Sequence, residues 1–174
     1  MKAIAGVALK SLRRPDLVEH RALLDGQWIE RRETLVVTDP ANGEPLLDVC
    51  ACTEDDVEVA VEAAGRAFAT WRDMLPVERG DILRAWGRLM RDNAGDLAVI
   101  ITAEQGKPHS ESLGEISYAA AFLDWFASEG ERSYGETIPS HLKGGNLSVR
   151  MQPIGVTVAI TPWNFPSAMI ARKA

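Results

Sequence analysis

The chain has no run of about eighteen apolar residues, the length a membrane-crossing helix needs. It has no block of lysine and arginine either, and its formal net charge is −6. Those two absences argue against nucleic acid and anionic membrane as partners. Only 2 cysteines are present, Cys50 and Cys52. A C-x-C pair without a second Cys/His pair is a poor zinc signal, and a two-residue step is poor disulfide geometry; two residues on one face of a strand is the simpler reading. His20, His109 and His141 have no mutual spacing that suggests a metal site or a catalytic triad. There is no internal repeat, no low-complexity tract and no G-x-G-x-x-G fingerprint, since Ile154-Gly155 does not begin one. The start, Met1-Lys2 followed by A-I-A-G-V-A-L, faintly resembles a signal peptide, but it runs straight into polar Lys10–Arg14 without a clear cleavage site. Residues 1–22 therefore read as a flexible leader, and the protein as cytoplasmic.

What remains is a soluble composition, with 46% hydrophobic and 25% charged residues, on a length that one domain can fill. Gln27–Ile29 and Leu35–Val37 flank a charged turn and predict a small hairpin. Asp39-Pro40-Ala41-Asn42-Gly43 is turn chemistry, and Pro45–Cys52 predicts a further strand. Helical spacing then takes over. Thr53 with acids behind it starts a first helix whose stripe is Val57, Val61, Ala64, Phe68 and Trp71. Pro76 opens a second, with Ile82, Leu83, Trp86, Leu89 and Met90. Asn93 and Asp96 predict the cap of a third, ended by Gly106 and Pro108, with Lys107 near its negative end. Ser112 with Glu115 predicts a capping box for a fourth, with Ile116, Ala119, Ala120, Leu123 and Phe126 on its apolar face and Gly135 as its stop. Trp71, Trp86 and Trp125 fit core stripes. After a linker at 141–146, Leu147–Gln152 alternates apolar and polar residues as a half-exposed edge strand does.

The last twenty or so residues carry most of the chemistry. Val156–Thr161 is β-branched and apolar, and reads as a buried strand. Pro162-Trp163-Asn164-Phe165-Pro166 forms a turn, and a helical pattern starts at Ser167. Strand, turn and helix start make the first half of a nucleotide-binding unit. Asn164 is the polar residue of this apolar turn. Its amide can donate to a developing oxyanion, or it can simply stabilise the turn. Arg172 and Lys173 lie on the first turns of the helix, where a guanidinium could fork onto a carboxylate or remain a solvated cation.

Ile160-Thr161-Pro162-Trp163-Asn164-Phe165-Pro166 resembles the strand-turn motif of the aldehyde dehydrogenase superfamily. Ser167–Lys173, Glu104–Pro108, Gly114–Ala120 and Tyr134–Pro139 are similar to its succinate-semialdehyde dehydrogenase branch, and the resemblance covers about Leu23 to Ala174. It implies an α/β fold: the N-terminal part of that family's architecture, with a small hairpin and four helices over residues 23–146, an oligomerisation strand at 147–153, and the first strand and helix start of a Rossmann-like core at 154–174. It implies Asn164 as oxyanion donor, Ile160, Thr161, Pro162, Trp163 and Asn164 against the nicotinamide of NAD or NADP, Arg172 on the distal carboxylate of a semialdehyde substrate, and a homo-oligomer paired through Leu147–Gln152. The family's catalytic cysteine and glutamate lie downstream of the motif, and Cys50 and Cys52 do not match the nucleophile's context. The chain is therefore expected to be an N-terminal portion that is inactive alone. The alternative is a non-catalytic interaction fragment.

Overall fold

The computed structural model describes residues 8–174. The chain is α/β. Among these residues, three separate two-stranded antiparallel ribbons accompany four long helices and one short one.

The first ribbon pairs β1 (Ala22–Leu24) with β2 (Gln27–Ile29), and the second pairs β3 (Thr34–Thr38) with β4 (Pro45–Cys50). This corrects the expected pairing of Gln27–Ile29 with Leu35–Val37. The cause is Asp25-Gly26, a two-residue loop with φ 48° and 74°. Positive φ at both positions is the hairpin turn whose twist matches that of the strands. The second ribbon closes through the expected turn: the Asp39 carboxylate accepts from the Ala41 N–H at 2.8 Å, and Asn42 accepts from Glu44 at 2.8 Å. The predicted strand at Pro45–Cys52 stops at Cys50, leaving Cys52 exposed beyond its end.

Helix α1 (Glu54–Trp71) starts at a reciprocal box: Thr53 Oγ1 accepts from the Asp56 N–H, and the Asp56 carboxylate accepts from the Thr53 N–H at 2.9 Å. Arg31 also pairs with Asp56. α2 (Pro76–Asp92), α3 (Ala94–Gln105) and α4 (His109–Glu131) form a three-helix layer. Of the predicted α2 stripe, only Leu83 and Met90 pack inward; Ile82, Trp86 and Leu89 are exposed. The contact face instead runs through Gly80, Leu83, Gly87 and Met90. A Cβ at Gly80 would lie 3.1 Å from the Ala127 carbonyl, and one at Gly87 3.4 Å from that of Ala120, so the glycines let the α2 backbone close on α4. Asn93 takes the expected N-cap position of α3, but its side chain makes no cap hydrogen bond there. Its Nδ2 donates back to the Leu89 carbonyl at 2.8 Å and closes α2.

Helix α4 begins three residues before the predicted cap. Ser112 is buried and meets Thr102 Oγ1 at 3.0 Å, tying α4 to α3. The main core gathers Met90, Ile101, Ile116, Ala119, Ala120 and Leu123 with Ala168 and Ala171 of α5 (Ala168–Ala171). Phe126, Trp71 and Trp125, read as core, are exposed.

The expected flexible leader is anchored from residue 8 on. Leu9 and Leu12 are buried with Leu46 and Ala103, and the Arg13 and Arg14 N–H groups donate to the Asp96 carboxylate at 3.2 and 2.9 Å. Two leucines three apart on a turn do this, within a stretch that reads as polar. The signal-like start falls largely on residues 1–7, outside the described residues.

Past α4, β5 (Glu136–Ile138) pairs with β6 (Leu147–Val149), so the edge strand is shorter than predicted and has a partner ahead of the linker. The largest departure is Val156–Thr161. The segment is in no strand, pairs with none among the described residues and is largely exposed, with Val158 at 74% and Ile160 at 90%. A strand needs a ladder on each side to be buried, and no neighbour for it lies among the described residues.

Candidate functional site

The turn Thr161–Ser167 is held from below by two charged residues that the sequence reading assigned elsewhere. α3 ends at Gly106, left-handed at φ 79°, whose N–H reaches the Thr102 carbonyl at 3.0 Å. The next residue, Lys107, was expected as a cation at a helix end. It is buried instead, and its Nζ donates to Glu115 Oε2 at 2.5 Å and to the Asn164 backbone carbonyl at 2.9 Å. The same ammonium lies 4.0 Å from the centre of the Phe165 ring. Glu115, expected in a capping box for its own helix, caps another one. Its Oε1 accepts from the N–H groups of Ser167 and Ala168 at 2.9 and 3.2 Å. Ser167 offers α5 no side-chain cap, so the carboxylate from α4 takes that place.

A signal for this was present in the sequence. Ser112, Glu115, Ile116, Ala119, Ala120 and Leu123 recur at three- and four-residue spacing, which puts Glu115 on the buried face of its helix. A carboxylate on such a face needs a partner.

The expected site residues fall into two places. Ile160, Thr161, Pro162, Trp163 and Asn164 form one continuous strip. Thr161 is half-buried and the others are exposed, Trp163 at 76%. The Asn164 side-chain amide makes no hydrogen bond among the described residues, although its backbone carbonyl is fixed. Arg172 stands just past α5, its guanidinium 5.5 Å from the centre of the Phe122 ring. Phe122 in turn packs on Tyr118 and Phe126 at ring separations of 4.5 and 6.4 Å. Arg172 lines a cavity with Arg79, Leu83 and Phe126, not one that includes Asn164. No described carboxylate forms an ion pair with it.

Cys52 borders the groove between α1 and Val156–Ala159. Burial, with help from neighbouring Cys50, pushes its thiol pKa up, the reverse of an activated thiolate. Among the described residues no cluster of His, Cys, Asp and Glu could hold a metal ion, and no helix is long and apolar enough to cross a membrane.

The chain belongs to the aldehyde dehydrogenase family, whose model matches residues 28–174. It is 51% identical over 161 residues to the NADP-dependent succinate-semialdehyde dehydrogenase GabD of Escherichia coli K12, covering 91% of this chain and 33% of that protein. It is 47% identical over 165 residues to the glutarate-semialdehyde dehydrogenase of Pseudomonas putida KT2440, covering 94% and 34%. A crystal structure of an E. coli NADP-dependent enzyme superposes with a TM-score of 0.91 at 50% identity, again over 94% of this chain and 34% of that one. The chain thus spans about a third of the length of these relatives, and its fold is the N-terminal part of theirs.

Proposed function

We propose that this chain supplies the substrate- and nicotinamide-facing turn of an NAD(P)-dependent semialdehyde dehydrogenase that oxidises succinate semialdehyde to succinate. The observation that carries this reading is Asn164, a donor with no partner on a turn whose backbone is tied down. An amide carried on a fixed backbone is placed to donate to an oxygen as negative charge develops on it. Arg172, a cation with no carboxylate partner, suits the far end of the substrate. Several relatives act, by their names, on aldehydes that carry a second, charged group: succinate, glutarate and aspartate semialdehydes and 3-sulfolactaldehyde. A guanidinium forks onto such a group. In this role it swings off the Phe122 ring.

For the cofactor, exposed Ile160, Pro162 and Trp163 fit one apolar face of a flat ring, so this chain fits the nicotinamide end. The cofactor, when bound, accepts the hydride. No described segment carries the glycine fingerprint that cradles a pyrophosphate. With the Cys52 thiol pushed up, the 174 residues are expected not to turn over aldehyde by themselves.

Two experiments test this reading. The purified chain with succinate semialdehyde and either cofactor is expected to form no reduced cofactor; formation of it defeats the inactivity claim. A chimera joins these 174 residues to the part of E. coli GabD that they do not match, and it is expected to be active. In the chimera, Asn164→Ala should lower kcat by about 10²–10³-fold. Arg172→Leu should raise KM for succinate semialdehyde far more than for an aldehyde without a carboxylate. An active chimera indifferent to both changes overturns the assignment.

One further part of the proposal is a homo-oligomer. The β5–β6 ribbon exposes Ile138, Leu147, Val149 and Met151, a partly apolar edge that a second copy would cover. Size-exclusion chromatography showing only a monomer at every concentration contradicts this.

A further inference from the structure

We propose that Lys107 and Glu115 are positioning residues for Asn164: one buried ion pair grips the Asn164–Ala168 turn at both ends and fixes the backbone that carries the free amide. This rests on the reading of Asn164 as the oxyanion donor.

Taking a lysine and a glutamate out of water costs more than their mutual attraction reliably returns. Here the Glu115 side chain is fully buried, at 0% exposure, and that of Lys107 is at 8%. Among the described residues, every side-chain hydrogen bond the pair has beyond its own ion pair goes to the same turn. Lys107 takes the Asn164 carbonyl at its start, with the Phe165 ring against the ammonium, and Glu115 takes the Ser167 and Ala168 N–H groups at its end. α5 has four residues and is too short to hold itself together. The Asn164 side chain has no hydrogen bond of its own, so what its surroundings fix is the backbone from which it springs. Fixing the Asn164 carbonyl fixes the peptide plane that follows; capping α5 fixes the other end. The supports themselves sit on rigid elements. Lys107 directly follows the left-handed close of α3, and Glu115 lies on the second turn of α4. Two turns further along α4, Phe122 carries Arg172.

Three variants, Lys107→Met/Glu115→Leu, Glu115→Gln and Asn164→Ala, test the proposal. Residue-resolved amide exchange and thermal unfolding are read on the full chain, and kcat and KM on the GabD chimera. Replacing both partners by apolar side chains avoids a lone buried charge, so Tm and α4 protection should stay near those of the parent. Exchange at Ser167 and Ala168 should nonetheless rise by more than about tenfold, as the loss of bonds to a charged acceptor implies. In the chimera the double variant should lose about a hundredfold in kcat, the scale of a misplaced catalytic group, with KM little changed. Glu115→Gln keeps an oxygen for both N–H groups but turns its NH2 onto the Lys107 ammonium, so it should restore part of the protection and of kcat with a lowered Tm. The proposal is overturned by a double variant that keeps Ser167 and Ala168 protected, or keeps kcat. It is also overturned by one whose Tm and α4 protection collapse, since the pair is then a general support. Asn164→Ala with unchanged kcat defeats the oxyanion reading and this proposal with it. A large loss in Asn164→Ala beside an unaffected double variant defeats only the positioning role.

Discussion

Two apolar patterns of equal quality end in opposite environments. In the α2–α4 layer, Leu83, Met90, Ile101, Ile116, Ala120 and Leu123 close on one another and bury α5. In α1, Val57, Val61 and Trp71 keep the same spacing along the helix and are exposed, beside a Val156–Ile160 segment that is also largely exposed. Periodicity states which face wants to be covered; it does not state that the cover is present. The chain spans about a third of its relatives' length, and the uncovered faces of α1 and of residues 156–160 line one groove.

If that contrast is real, substitutions should hurt in proportion to what surrounds them. The largest loss is expected from Glu115→Ala, which strands the buried Lys107 charge: about 3–5 kcal/mol in urea or thermal unfolding. Its counterpart on the open side is Arg66→Ala, which breaks the exposed 2.9 Å pair with Asp25 and should cost about 0–1 kcal/mol. Next comes Leu123→Ala, expected to cost about 2–5 kcal/mol by leaving a cavity. Val61→Ala on exposed α1 should stay within about 0.5 kcal/mol. Equal losses at Leu123 and Val61 would mean that α1 is covered in solution. Removing the α1 cap with Thr53→Ala should cost about 1 kcal/mol.

The start of α1 also makes a pH prediction. Arg31, followed by the Thr53 N–H, holds the Asp56 carboxyl down at about 2, against an ordinary 3.8. A carboxyl depressed on folding stabilises above its unfolded value, and that stabilisation disappears as pH falls from about 4 through about 2. Arg31→Met should therefore flatten the acid limb of the stability–pH curve in this range. An unchanged limb would remove Asp56 from the acid transition.

Local signals in the sequence were read well. Pro76, Gly106 and the Thr53–Asp56 box mark helix ends because the groups that satisfy an end are close in sequence. Pairing was read less well. The Asp25-Gly26 loop is a strong hairpin signal, yet the charged turn at 30–33 drew the prediction to the wrong partner. The buried ion pair was missed for a different reason. Lys107 and Glu115 each have an adequate local role, a helix-end cation and a capping acid, and only the packing of α4 against the 162–168 turn replaces those roles with a shared one. Asn164 and Arg172 were singled out by residue type and by resemblance. That Asn164 is held through its carbonyl, and that Arg172 rests on Phe122, depends on contacts that span 57 residues in the first case.

The most direct test of this account is amide exchange along the unmodified chain, comparing two segments a few residues apart. Ser167 and Ala168, capped by buried Glu115, are expected to exchange as slowly as the middle of α4. Val156–Ile160, with no ladder partner, is expected to exchange nearly as fast as an unfolded peptide. Fast exchange at Ser167 and Ala168 would contradict the claim that the ion pair holds the Asn164 turn, and slow exchange at Val156–Ile160 would contradict the claim that this segment stands uncovered.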